Sequence, residues 1–162
     1  MASKRVNYFL PIVIGIVISL IFCGVLILTL NKANNDKIEK FYLNELIKSN
    51  INKNNKKTYL SIKSISPKIA TYGKNNGYYI VSDGEYNYVV LLSNKKAKEI
   101  MNIDLYNNPV TINGISKEMN KELKEIVLEK YNSSKDENEK ISIKEYYSYF
   151  GDVYLDETLA LK

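Results

Sequence analysis

The sequence predicts an α+β fold: an N-terminal transmembrane helix followed by one domain with an antiparallel β-meander and three or four helices. Three observations carry the prediction. The run Tyr8–Leu30 is apolar apart from Pro11, two glycines, Ser19 and Thr29, and it holds no charge. Between Thr58 and Leu92, short β-branched and aromatic runs alternate with the dipeptides Asn76-Gly77 and Asp83-Gly84. Beyond Leu92, apolar residues recur at helical spacing behind capping residues.

The apolar run is long enough to span a bilayer, because roughly 20 residues at about 1.5 Å each cross a hydrocarbon core of about 30 Å. In that core only a helix satisfies its own backbone polar groups. A cleaved signal peptide is the competing reading, since Lys4 and Arg5 make residues 1–7 a short basic tail. Signal h-regions, however, run about 7–15 residues and end at a small-x-small site. Here the run is longer, and Asn31-Lys32-Ala33 opens on a residue that is not small. Lipidation at Cys23 is opposed by bulky Phe22 and by the apolar run continuing to Leu30. An uncleaved, single-pass signal anchor over residues 8–30 is expected. Lys4 and Arg5 on one side nearly balance Lys32, Lys37 and Lys40 on the other. The short tail and the charge tolerance of long translocated domains therefore favour an extracytoplasmic domain at the cell membrane. Within the span, Gly15, Ser19 and Cys23 recur at four-residue spacing. They are candidates for helix–helix contact, since small side chains on one face let two helices approach.

Residues 31–57 read as a juxtamembrane helix and linker. Ile38, Phe41, Tyr42 and Leu46 fall on one helical stripe within Asp36–Ser49, widened by Leu43 and Ile47. Such a stripe packs on the domain's own sheet or lies on the lipid surface with Lys37, Lys40 and Lys48 at the headgroups. Packing on the sheet is the expectation. Asn50–Lys57 is polar and expected to be an exposed linker.

The soluble α+β domain is expected over residues 58–162. Thr58–Ile65 alternates weakly, Pro67 interrupts, and Ile69–Tyr72 follows. Asn76-Gly77 and Asp83-Gly84 supply the positive φ angles of tight hairpin turns, which predicts a meander through Tyr78–Val81 and Tyr86–Leu92. Asn94–Asn102 reads as a helix capped by Ser93 or Asn94. Val110–Ile112 is a brief strand ending at Asn113-Gly114. Ser116 is expected to cap a helix whose stripe is Met119, Leu123, Ile126, Val127 and Tyr131, and Asn132–Lys140 to form a charged loop. Ser142-Ile143-Lys144-Glu145 has the spacing of a capping box, with Ile143, Tyr146, Tyr147 and Phe150 continuing the helix and Gly151 ending it. Val153–Leu155 closes the sheet as a last strand.

Composition excludes several chemistries. The chain has no histidine, and its single cysteine lies in the apolar run. His-based metal sites, triads and general bases are therefore out, as is a disulfide within the domain. All 18 acidic residues and all but two of the 23 basic ones follow Leu30, so the remainder is close to neutral. Arg5 is the sole arginine, and nucleic-acid binding, which calls for clustered basic residues, is not expected. Abundant Lys, Asn, Ile and Tyr match the codon bias of an AT-rich genome.

Carboxylates offer the remaining catalytic or cation chemistry, at Asp83 and Glu85 and at Asp152, Asp156 and Glu157. Their order lacks the alternating Asp/Asn-Gly pattern of a calcium loop, and Asp83 is accounted for by its turn. No catalytic residue, cofactor or metal ligand is assigned. Tyrosine is the conspicuous residue, with 14 in all. Tyr86, Tyr88, Tyr146, Tyr147 and Tyr149 are the candidates for a binding surface, because rigid, polar-tipped rings stack on sugar rings or anchor a protein partner. Rings that fill core and rim are the ordinary alternative.

The segments Gly77–Tyr86 (GYYIVSDGEY), Val110–Glu118 (VTINGISKE) and Tyr149–Asp156 (YFGDVYLD), together with the single span, resemble uncharacterised single-pass membrane proteins of low-GC Gram-positive bacteria. The shared motifs are turns and caps, so the resemblance implies architecture and an envelope location and carries no catalytic residue. The helix at Asp36–Ser49 with the meander is also similar to cystatin-like modules of bacterial envelope proteins, in which the later helices have no place. The expected function is a membrane-anchored extracytoplasmic binding or scaffold protein. Its partners would be the lipid bilayer and an envelope protein or cell-wall glycan. The alternatives are an accessory subunit of a membrane complex contacting through the transmembrane helix, and a cell-wall-modifying enzyme using carboxylates.

Overall fold

Period-two alternation from Lys57 onward becomes a sheet, and the helical stripes become the layers that cover it. The computed structural model describes residues 40–159. The predicted span, with Gly15, Ser19 and Cys23, lies outside the described residues. Among the described residues no helix is long and apolar enough to cross a membrane.

The strands are β1 (Phe41–Tyr42), β2 (Lys57–Ile62), β3 (Ser64–Ile65), β4 (Ala70–Tyr72), β5 (Asn76–Ser82), β6 (Asn87–Ser93), β7 (Val110–Glu118) and β8 (Val153–Asp156). They form one mixed sheet in the order β1-β2-β7-β8-β6-β5-β3, with β4 also paired to β5. The β1/β2 and β6/β8 pairs are parallel and the others antiparallel. The helices are α1 (Leu43–Lys48), α2 (Asn94–Met101), α3 (Lys121–Asn132) and α4 (Tyr146–Phe150). The chain is therefore α+β, with an antiparallel meander through β4, β5 and β6.

Alternation decides which helix covers which face. Leu60, Ile62, Tyr79, Val81, Tyr88, Val90, Leu92, Ile112 and Leu155 share one face, and Leu43 and Ile47 of α1 with Ala97 and Ile100 of α2 pack on it. Val89 points the other way, into a second core with Met119, Leu123, Val127, Ile141, Tyr146 and Phe150. Strand β6 is consequently buried on both faces from Tyr88 to Leu92, which explains its unbroken apolar run. Leu43 and Leu46 are fully buried, and each such burial contributes up to roughly 1.5–3 kcal/mol. That places α1 on the domain's own sheet, and its apolar residues are not available to a lipid surface.

Several local expectations give way to non-local packing. Phe41–Tyr42 is a strand beside β2, so the described helix is shorter than the Asp36–Ser49 stripe. Asn76-Gly77 lies inside β5, and the turn before it is Gly73-Lys74-Asn75, with Gly73 at φ 60°. Asp83-Gly84 opens a four-residue loop, Asp83–Tyr86, and is not a two-residue turn. Strand β7 runs straight through Asn113-Gly114, paired with Tyr59 and Thr58 of β2, and a Cβ at Gly114 would lie 2.4 Å from the Asp156 carbonyl oxygen. Glycine serves there for close backbone approach.

Ser116 is a fully buried residue of β7 and does not cap a helix. Its hydroxyl donates to the Lys53 carbonyl and accepts from the Lys56 amide, while its amide and carbonyl bond Lys56 and Asn55. The segment expected to be a free linker is thereby docked on the sheet. Asn120 caps α3 instead, its side chain accepting from the Leu123 amide at 2.8 Å. Ser93 caps α2 by accepting from Lys96, as its position suggests. Val153–Asp156 is the last strand in sequence yet sits centrally, between β7 and β6.

Candidate functional site

The loop from β5 to β6 is shaped by one carboxylate. Asp83 Oδ1 accepts from the amides of Glu85 and Tyr86, both at 2.9 Å, an Asx-type closure that sets where the Tyr86 ring projects. Its Oδ2 accepts from the hydroxyls of Tyr42 and Tyr88, both at 2.8 Å. Burial works to raise the Asp83 carboxyl, but these four donors outweigh it and hold the group below the usual carboxylate range. Burial and the adjoining carboxylate in turn push the Tyr88 and Tyr42 hydroxyls well above their ordinary value. The three side chains join β1, the loop and β6.

Helix α4 supplies the opposite wall. Glu145 Oε2 accepts from the Ser142 amide and hydroxyl, both at 2.8 Å, so only the returning half of the expected capping box forms: the Ser142 hydroxyl caps no amide, Ile143 precedes the helix, and α4 starts at Tyr146 with Glu145 as its N-cap. Tyr146 and Phe150 then face the core, so Tyr147 and Tyr149 face outward, at 52% and 41% exposure. Gly151 ends the helix at φ 71°, and a Cβ there would meet Ile47 Cγ2 at 2.8 Å. Its bareness lets α4 close against α1. The Tyr147 hydroxyl donates to the Ile47 carbonyl at 3.2 Å and accepts from Lys53 Nζ at 2.9 Å. Burial opposes the Lys53 charge, but the Tyr147 hydroxyl and Asp152, 3.3 Å away, keep its ammonium above the ordinary lysine value.

Between these walls lies a pocket of about 290 Å3, bounded by Tyr86, Tyr88, Tyr147 and Tyr149 with Phe150 and Ile47. Four of the five candidate tyrosines thus meet, although they come from two distant segments. Their roles differ. Tyr88, at 1% exposure, belongs to the floor, while Tyr86, Tyr147 and Tyr149 form the accessible walls. Tyr86 is a loop residue and does not share a strand face with Tyr88. Tyr146 is outside the pocket, 3% exposed, with its hydroxyl 3.3 Å from Met119 Sδ, and burial raises that hydroxyl. It is a core residue.

Lys48 and Asn44 complete the rim, one turn apart on α1. Lys48 Nζ lies 4.2 Å from the centroid of the Tyr86 ring and 3.0 Å from its hydroxyl. Asn44 does not stand out in the sequence, and Lys48 does so only as one of three lysines that a lipid-surface helix would turn to the headgroups. The available signal is their four-residue spacing on the polar side of the α1 stripe.

Three of the five candidate carboxylates have separate duties. Asp83 is saturated by its four donors, Asp152 pairs with Lys53, and Asp156 accepts from the Thr158 amide at 3.0 Å. Among the described residues, no three His, Cys, Asp or Glu side chains gather as a metal site would require. No family model, no curated protein and no solved structure matches the chain.

Proposed function

We propose that the chain is a membrane-anchored, extracytoplasmic binding protein whose ligand enters the tyrosine pocket. The observation that carries the reading is the convergence of Tyr86, Tyr88, Tyr147 and Tyr149 on one concave site. Small-molecule and cofactor pockets are mostly apolar and aromatic with a few placed polar groups, and this site has that make-up. The anchor rests on the length and lack of charge of Tyr8–Leu30.

Photo-crosslinking in intact cells tests the reading. Replacement of Tyr149 by p-benzoylphenylalanine is expected to give a discrete light-dependent adduct that disappears when Tyr86→Ala is added. The same probe at Tyr106, 82% exposed and remote in sequence from the pocket walls, is the control and should give none. No adduct at position 149, or equal yields at both positions, would remove the pocket as the binding site.

A further inference from the structure

The charge around the tyrosine pocket is one-sided. Among the described residues, Lys48 is the one charged side chain on its rim, and no carboxylate lines it. Among the described residues Lys48 makes no salt bridge, and its ammonium has three donors of which the Tyr86 hydroxyl takes one. A cation left without a counter-charge beside an apolar floor favours an anionic group on whatever enters.

The remaining rim is built from side-chain amides and a hydroxyl. Asn44 and Asn87, both half-buried, line the pocket, and among the described residues neither side-chain amide has a hydrogen-bond partner within the protein. Each offers a donor and an acceptor side by side, which matches the adjacent hydroxyl and amide groups of a sugar. Tyr147 and Tyr149 present exposed ring faces, on which the C–H face of a pyranose can stack. At about 290 Å3 the pocket lies just below the roughly 300–1,000 Å3 typical of ligand sites, which suits one ring and not a chain of them.

We infer that the pocket takes a pyranose ring bearing a carboxylate, with the ring on the tyrosine faces, its polar substituents on Asn44 and Asn87, and its carboxylate on Lys48. This rests on the binding function proposed above and names the ligand class. The ligand would be an acidic saccharide of the envelope.

Calorimetric titration of the full-length chain in detergent micelles tests it with three probes. They are the methyl glycoside of N-acetylmuramic acid, the same glycoside with its carboxyl converted to carboxamide, and a short peptide ending in a free tyrosine carboxylate. The acidic glycoside is expected to bind, and the carboxamide to bind roughly tenfold more weakly or worse, as loss of a charge-assisted hydrogen bond implies. Lys48→Gln should erase that difference by weakening the acid alone, without a change in Tm, because Lys48 is exposed. Asn87→Ala should weaken both sugars.

Equal binding of acid and carboxamide, or no binding of either sugar, would overturn the inference. Binding of the peptide in their place would also overturn it while leaving the pocket as the site. If no probe binds yet the Tyr149 photo-adduct forms, only the ligand class falls. If the adduct is missing too, the binding function falls with it.

Discussion

Gly114→Ala is expected to be among the most destabilising single substitutions in the domain. The added Cβ would sit 2.4 Å from the Asp156 carbonyl oxygen and 2.6 Å from Leu155 Cδ2. The first of these is backbone of β8, a central strand held by β7 on one side and β6 on the other. Relief therefore requires the two strands to part. Overpacking a well-filled core typically costs about 1–3 kcal/mol, and a clash with backbone belongs at or above the top of that range. For a domain of this size the loss corresponds to a Tm lower by roughly 10 °C. Gly73→Ala, with open space around its Cβ, isolates the cost of positive φ alone and should lose only about 1 kcal/mol. Thermal unfolding of the two variants beside wild type measures the difference, and equal Tm losses would contradict the close approach of β7 to β8.

Asp83→Ala should be nearly as costly and should also deform the pocket. It strands the Tyr88 hydroxyl, which is almost fully buried, and removes the acceptor of the Tyr42 hydroxyl and of two loop amides. A buried donor left without a partner costs about 1–3 kcal/mol, so a total near 3 kcal/mol is expected. Asp83→Asn is milder, about 1 kcal/mol, because its carbonyl oxygen still closes the loop and the tyrosine hydroxyls can turn to accept from its amide.

The two Asp83 variants also separate in their pH dependence. The Asp83 carboxyl is lowered in the folded chain, so between the folded value and the unfolded value of about 4 the unfolded state binds more protons. Its contribution is fully present above the unfolded value and is lost as pH falls through the folded one. Wild type should therefore lose stability more steeply than Asp83→Asn below about pH 4. Denaturant midpoints measured from pH 7 downward give the two slopes, and parallel slopes would show that the Asp83 charge is not stabilised by its four donors.

Legibility in the sequence followed the range of the interaction. Ser93 caps α2 as its position predicts, because cap chemistry is settled within one helical turn, whereas the Ser142–Glu145 pair forms only its returning bond and leaves α4 to start at Tyr146. The two asparagine–glycine pairs misled for a matching reason. Positive φ is the local use of glycine, whereas Gly114 is needed by a strand far along the chain and Gly77 lies against the Lys68 side chain. Ser116 looked like a cap since nothing near it in sequence reveals Lys53 and Lys56 as its partners. The central place of β8 depends on parallel pairing to β6, which four residues cannot announce.

The candidate site divides along the same line. Tyrosine clusters are legible as composition, but the sequence reading places Tyr147 on one stripe with Tyr146 and Phe150, and only the packed helix separates Tyr146 and Phe150, facing inward, from Tyr147 and Tyr149. That the second pair meets Tyr86 across α1 was not visible, because it depends on Gly151 closing against Ile47 and on Asp83 aiming the loop. Lys48 gained its place only once α1 was seated on the sheet.

A binding protein of the envelope must hold its pocket outside the membrane, and one labelling measurement decides this. Cys23 is the only cysteine and falls within the apolar run, whereas Ser134 is exposed in the loop after α3. Ser134→Cys therefore creates a single accessible thiol on the domain. A membrane-impermeant maleimide is expected to label the variant in intact cells and to leave wild type unlabelled. Labelling of the variant only after lysis would put the domain in the cytoplasm and contradict a ligand drawn from the cell envelope.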